Sequence, residues 1–176
     1  MKMTNAEKLM TFMLADLLEG LKVKSEIDPK FVKEAIFNDH LWGLEWKYQG
    51  IFADSAEPTP ERVRFVVDVL DMWSFIERGY KKLSDGDRAR VDAAVPYGIE
   101  NFEGFDGNNE TEHMSIARFL VEELDRFSEF KGRSFNSHMP SVGRYRAMLA
   151  VFEPIRKNLG APRTLNADEL IQIGKR

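Results

Sequence analysis

Ten residues, "GFDGNNETEH" from Gly104 to His113, set Asp106, Asn108, Asn109, Glu110, Glu112 and His113 almost side by side. Carboxylates, amides and an imidazole at this density are the donor set of a hard-cation site or of an acid/base pair. A calcium loop of the EF-hand type needs glycine at its sixth position and glutamate at its twelfth. Counted from Asp106, those places hold Thr111 and Ala117, so that pattern is excluded. A di-metal carboxylate centre in a helical bundle needs two Glu-x-x-His pairs and two further glutamates. Glu110 and His113 make one pair, but His40 follows Phe37 and His138 follows Phe135 at that spacing, so the second half is missing. Two readings remain. One is a mononuclear Mg²⁺ or Ca²⁺ site on Asp106, Asn108 and Glu110, with His113 close by. The other, which the residue types favour, is a capped turn. Asp106-Gly107 reverses the chain, Asn109 caps a helix, and Glu110 and Glu112 sit in its first turn, where the dipole and free N–H groups welcome carboxylates.

A second group lies at Arg133 and His138. Their Arg-x4-His spacing matches the HEPN family of helical ribonucleases, in which histidine moves the proton and arginine faces the developing phosphate charge. The spacing is permissive, and chance alone supplies about one such match in a chain of this composition. Asn136, Ser137 and Pro140 also have a plain role in shaping the turn before a helix. There is no phosphate-binding glycine loop, no G-x-S-x-G elbow and no H-E-x-x-H, and no cofactor is expected. With no cysteine, disulfides, thiolate nucleophiles and Cys-ligated zinc or iron–sulfur centres are excluded.

The elements that must position these residues are helical throughout. Thr4 and Glu7 form a reciprocal cap, and Leu9, Met10, Met13, Leu14, Leu17, Leu18 and Leu21 follow at steps of three and four, predicting an amphipathic helix over about 5–22. Its stripe must be covered, either by the core or by another molecule. Asp28-Pro29 opens a short helix to about Asn38, and Trp42 and Trp46 lie one turn apart after it. "DSAEPTP" at 54–60 is the most loop-like stretch. From about 60 to 83 runs a long helix that is apolar around much of its circumference, which places it at the centre of the bundle. A short helix is expected from Ser84 to about Ala94 and another helix from Asn109 to about Phe130, then one from Val142 that Pro154 must kink or end. A last short helix starts at the Asn166–Glu169 cap. The expectation is an all-α fold, one domain spanning 1–176 and about seven to eight helices.

Net charge is −4 over 176 residues, but it is unevenly spread. Residues 99–130 hold nine carboxylates against Arg118 and Arg126, a net −7, while residues 131–176 hold nine basic against three acidic residues, a net +6. Two segments that face each other explain this more simply than a nucleic-acid surface on the basic C-terminal third, because the domain as a whole is acidic. No apolar run is long enough to cross a membrane, and the first ten residues lack the pattern of a secretory signal, so a cytoplasmic protein without a membrane partner is expected.

Several stretches in order resemble the YfbU family of bacterial proteins. They are "MTNAEKL" at 3–9, "WGLEW" at 42–46, "GFDGNNE" at 104–110 with "ARFL" at 117–120, "FNSHMP" at 135–140 with "YRAML" at 145–149, and "NADELIQI" at 166–173. The resemblance spans the chain, and departs in the loop of the fifties and between Asp85 and Ile99, which are longer. It implies an all-α protein of a family without an established biochemical activity. From residues and resemblance together, the expected function is a helical interaction or regulatory protein that forms homo-oligomers or docks a protein partner. The alternative is a hydrolase, metal-assisted at Asp106, Glu110 and His113 or ribonuclease-like at Arg133 and His138.

Overall fold

Helix α1, Asn5–Gly20, starts where its cap pair places it: the Glu7 N–H donates to the Thr4 hydroxyl at 3.2 Å and the Thr4 N–H returns to the Glu7 carboxylate at 2.7 Å. The computed structural model describes residues 1–52, 58–160 and 162–175. Residues 54–57 of the expected loop, Ala161 and Arg176 lie outside the described residues. The chain divides into two compact units, Met1–Glu61 and Arg62–Arg176.

In the first unit, α1 packs on α2, Pro29–Phe37, which packs on α3, Leu41–Lys47. Asp28 caps α2 by accepting from the N–H groups of Lys30 at 3.0 Å and Phe31 at 3.3 Å, with Pro29 at the first helical position, as its dipeptide predicts. Lys33 on α2 reaches back to Asp16 at 2.9 Å and to Glu19, tying the two helices together. Trp42 and Trp46 meet edge to face with ring centres 5.1 Å apart, so the tryptophan pair is packing material. Within α1, Ala15 alone is buried, and the leucines and methionines of the stripe are exposed except Leu18, which is half-buried.

The second unit is built on α4, Glu61–Lys81, whose buried positions surround most of its circumference, as expected of a central helix. Helix α5, Asp85–Ala94, is capped by Ser84 through the Asp87 N–H at 3.2 Å. Helix α6, Thr111–Arg118, widens into a π-helical turn at Phe119–Glu123, followed by a 3₁₀ turn at Ser128–Phe130. Helices α7, Val142–Lys157, and α8, Ala167–Gly174, pack on each other, and α5 packs on α8. Among the described residues there is no β-strand, only an isolated parallel bridge between Phe105 and Asn136. No helix among them is long and apolar enough to cross a membrane.

One expectation changes, and one of the two alternatives at Pro154 falls away. The helix expected from Asn109 to Phe130 ends as an α-helix at Arg118. Phe119, Leu120 and Val121 are all buried, and here the helix takes a π turn in which the Leu124 N–H donates to the Phe119 carbonyl at 3.0 Å. Asp125 and Phe127, at φ 52° and 53°, then turn the chain away. Pro154 does not end α7, which continues to Lys157. Pro154 and Ala150 both face solvent, so the carbonyl freed by the missing N–H is not trapped in the core.

The acidic and basic segments join through Glu103–Arg144 at 2.9 Å and Asp125–Lys131 at 2.6 Å. Other basic groups go elsewhere: Arg156 to Asp71 at 3.0 Å, Arg163 to Glu169 at 2.8 Å, and Arg133 to Glu77. Glu77 is a charge inside the core, 3% exposed, and it accepts from Arg133 at 2.7 and 3.0 Å and from the Phe102 N–H at 2.9 Å. Removing one partner of such a pair strands the other. Glu77→Ala is therefore expected to cost about 3 kcal/mol, while a Glu77→Leu/Arg133→Met pair recovers much of it. Urea denaturation of the variants checks this, and a single variant as stable as the wild type would show that the pair carries no weight.

Candidate functional site

The two residue groups singled out by sequence meet in the second unit. Loop 102–110, ahead of α6, and loop 133–141, ahead of α7, lie against each other: the Phe105 N–H donates to the Phe135 carbonyl at 2.9 Å, and the Ser137 N–H returns to the Phe105 carbonyl at 3.0 Å. Gly104 allows this approach. Its φ is +95°, and a Cβ there would sit 2.1 Å from the Phe135 oxygen. The Tyr145 hydroxyl closes the same point by donating to the Gly104 carbonyl at 2.8 Å. Asn136 stitches the loops further, its Oδ1 accepting from Gly107 at 2.9 Å and from His138 at 3.0 Å.

Glu110 sits at the centre. Its carboxylate accepts from the Asp106 N–H at 3.0 Å, the Ser141 N–H at 2.9 and 3.1 Å, the Val142 N–H at 2.9 Å and the Ser141 hydroxyl at 2.8 Å. It is thus the cap of α7, whose own N-cap residue, Ser141, makes no side-chain bond to the helix. Burial pushes the Glu110 pKa up, but these donors together outweigh it and hold the carboxyl below its ordinary range. Asn109 does not cap α6 as its position suggests. Glu110 occupies the N-cap, and Asn109 instead donates from Nδ2 to Asp106 Oδ2 at 2.6 Å, because α7 claims the glutamate and the turn claims the amide.

Asp106 is 2% exposed, screened by its own turn rather than by depth in the core. Its Oδ1 accepts from the Asn108 N–H at 2.9 Å, and the Asn109 amide, with that N–H, holds its pKa down. Asn108 itself is exposed. The His113 ring lies between Phe65 and Phe105, with centres 5.6 and 5.5 Å away. Burial first, then the Arg62 charge, push its pKa down, with Glu110 opposing. Asp106 and Glu110 are therefore brought together as hydrogen-bond acceptors that backbone and amide donors already occupy. Among the described residues, no three His, Asp or Glu side chains are arranged to hold a metal ion.

Arg133 and His138 share a loop but no contact among the described residues. The arginine is engaged by Glu77, the Glu129 carbonyl at 2.8 Å and the face of Phe130, with the guanidinium carbon 5.0 Å from the ring centre. His138 is exposed, at a positive φ of 56°. Beside the joined loops a cavity of about 520 Å³ is lined by Tyr97, Met139, Pro140 and Arg144 among others, but the arginine's charge is answered there by Glu103. Three residues that matter here were not singled out by sequence: Ser141, Tyr145 as a donor, and Glu77. Glu77 had a legible signal, a carboxylate between Trp73, Ile76 and Tyr80 on the apolar arc of α4.

Two variants test the loop junction. Glu110→Gln replaces a charged acceptor with one that turns a donor toward donors, an expected loss of about 2 kcal/mol near neutral pH. The folded pKa of Glu110 lies below the unfolded value of about 4.3, so its contribution is complete above that value and disappears as pH falls through the folded one. The acid limb of the stability curve should therefore be shallower in the variant, as urea titrations between about pH 7 and about pH 3 would show. Parallel curves would remove Glu110 from the role of cap. Gly104→Ala forces a methyl group onto the Phe135 carbonyl and should cost at least about 3 kcal/mol in the same assay.

Compared with known proteins, residues 1–174 match the model of the YfbU domain, a span that includes both units. The chain is similar to UPF0304 protein MJECS11 of Methanocaldococcus jannaschii, with 33% identity over 117 residues, covering 63% of this chain and 67% of the relative. With a family model matched over nearly the whole length, the chain belongs to the YfbU family.

Proposed function

We propose that this protein works by binding to itself through the outward face of α1, as a helical interaction protein. The observation that carries this reading is the direction of the α1 stripe. Leu9, Met10, Met13, Leu14, Leu17 and Leu21 share one face and are each 55–66% exposed, while the opposite side of the helix, with Ala15 buried, packs on α2. An amphipathic helix that presents its apolar side to water has a partner in its working state, because burying a leucine or methionine is worth roughly 1.5–3 kcal/mol. Six such residues, more than half exposed, hold back on the order of 5–10 kcal/mol. Single exposed apolar residues are ordinary, but six in one stripe are not.

The hydrolase readings draw no support from the geometry: the acceptors of Asp106 and Glu110 and the donors of Arg133 are taken up within the fold. Nucleic-acid binding by the basic C-terminal third gains little, since Arg133, Arg144, Arg156 and Arg163 each face a carboxylate. Sedimentation velocity on the untagged protein tests the proposal. The wild type should sediment as an oligomer at micromolar concentration, and Met13→Glu/Leu17→Glu should sediment as a monomer with an unchanged helical circular dichroism spectrum. A wild type that stays monomeric, or a variant that assembles as before, would overturn it.

A further inference from the structure

We infer that the occupant of the α1 face is a second copy of this chain whose α1 runs antiparallel, about a two-fold axis at the level of Ala15; this rests on the self-association reading above. Ala6, Met10, Met13, Leu17 and Gly20 are spaced by four, three, four and three residues, the period of a helix–helix seam, with Leu9, Leu14 and Leu21 on its flanks. Asp16, at the edge of this stripe, is held by Lys33 of α2, which also holds Glu19, so part of the acidic charge at that border is answered within one copy. On the order of 100 Å² is exposed on each of six large side chains, or about 600 Å² per copy. Two copies face to face therefore reach the roughly 1,200 Å² at which stable interfaces begin.

Gly20 fixes the direction. It stands in the helix at a place where the fold of one copy makes no demand for glycine: its φ is not positive, and a Cβ there would meet nothing within 4 Å. The positive φ that ends α1 falls instead on Lys22, at 54°. Glycine is among the poorest helix formers, so at this position it leaves an open slot on the apolar face. Pairing the stripe with itself over its whole length, from Leu9 to Leu21, sets the antiparallel register. Leu9 then meets Leu21 of the second copy, Met13 meets Leu17, and Met10 enters the slot at Gly20. A parallel pair would set Gly20 against Gly20 and leave a void there, and it would also align the two helix dipoles.

The chain has no cysteine, so a single introduced thiol reports one position. Asn5→Cys, labelled with a nitroxide, places two labels about 30 Å apart along an antiparallel pair centred on Ala15, and roughly 10–20 Å apart in a parallel one. Gly20→Trp fills the slot without crowding its own copy, and should weaken the dimer by about 100-fold, tenfold for each of two slots, with an unchanged circular dichroism spectrum. A long label distance in the wild-type background together with a weakened Gly20→Trp dimer supports the inference. A short distance in a dimer that Met13→Glu/Leu17→Glu still breaks overturns the antiparallel arrangement and leaves self-association through α1 standing. A dimer indifferent to both substitutions, or no dimer, overturns the self-association reading itself.

Discussion

Glu110 is the acceptor on which three backbone N–H groups from two loops converge, and the second unit is organised around satisfying it. The carboxylate takes the free N–H groups at the start of α7, the Asp106 N–H and the Ser141 hydroxyl, and in doing so fixes where α6 begins, where α7 begins and how their leading loops lie. A helix start is costly to leave unsatisfied in a low-dielectric setting. Here the acceptor comes from the residue that precedes a different helix. The arrangement welds two loops that are otherwise rich in glycine, asparagine and serine. It also explains why a cluster with the inventory of a metal site serves as a structural junction: its oxygens meet donors from the chain on each side.

A second carboxylate repeats the logic deeper in the core. Glu77 holds the Phe102 N–H and the Arg133 guanidinium, so both loops are anchored to α4 from below as well as to each other. Phe102 and Phe105 then present their rings to Trp73, Tyr145 and Phe130, and the aromatic core of the unit is set by where two acidic side chains hold the backbone. Buried charge of this kind adds little net stability over an apolar pair. It does specify one arrangement, because any other leaves a charge without its donors.

The first unit has a different economy. Its helices α2 and α3 bury Phe31, Val32, Ala35 and Leu44, and ion pairs at the surface, among them Lys33 with Asp16 and Lys8 with Asp39 at 2.6 Å, tie the helices to their neighbours. Exposed pairs contribute at most about 1 kcal/mol each. Its largest unspent source of stabilisation is the apolar face of α1. That contrast separates a unit whose polar loops are satisfied from within from one whose α1 leaves its apolar face outward.

What the sequence determined by itself is local. The Thr4–Glu7 and Asn166–Glu169 boxes, the Ser84 and Asp28 caps, the turn at Asp106 and the all-around apolar pattern of α4 were legible because each is written in residues within a few positions of one another. The π turn after α6 is not written in the periodicity, which runs the helix on to Phe130, and at Pro154 the residue type alone left open whether α7 kinks or ends, where the structure carries it on to Lys157. Only the tertiary structure decided that Glu110 belongs to Ser141, 31 residues away, and Glu77 to Arg133, 56 residues away, since a carboxylate carries no mark of which distant donor it will meet. The same holds for α1. Its stripe was plain in the spacing of leucine and methionine, but spacing gives the angle between side chains and not the direction of the stripe, and that was settled by which side of the helix α2 took.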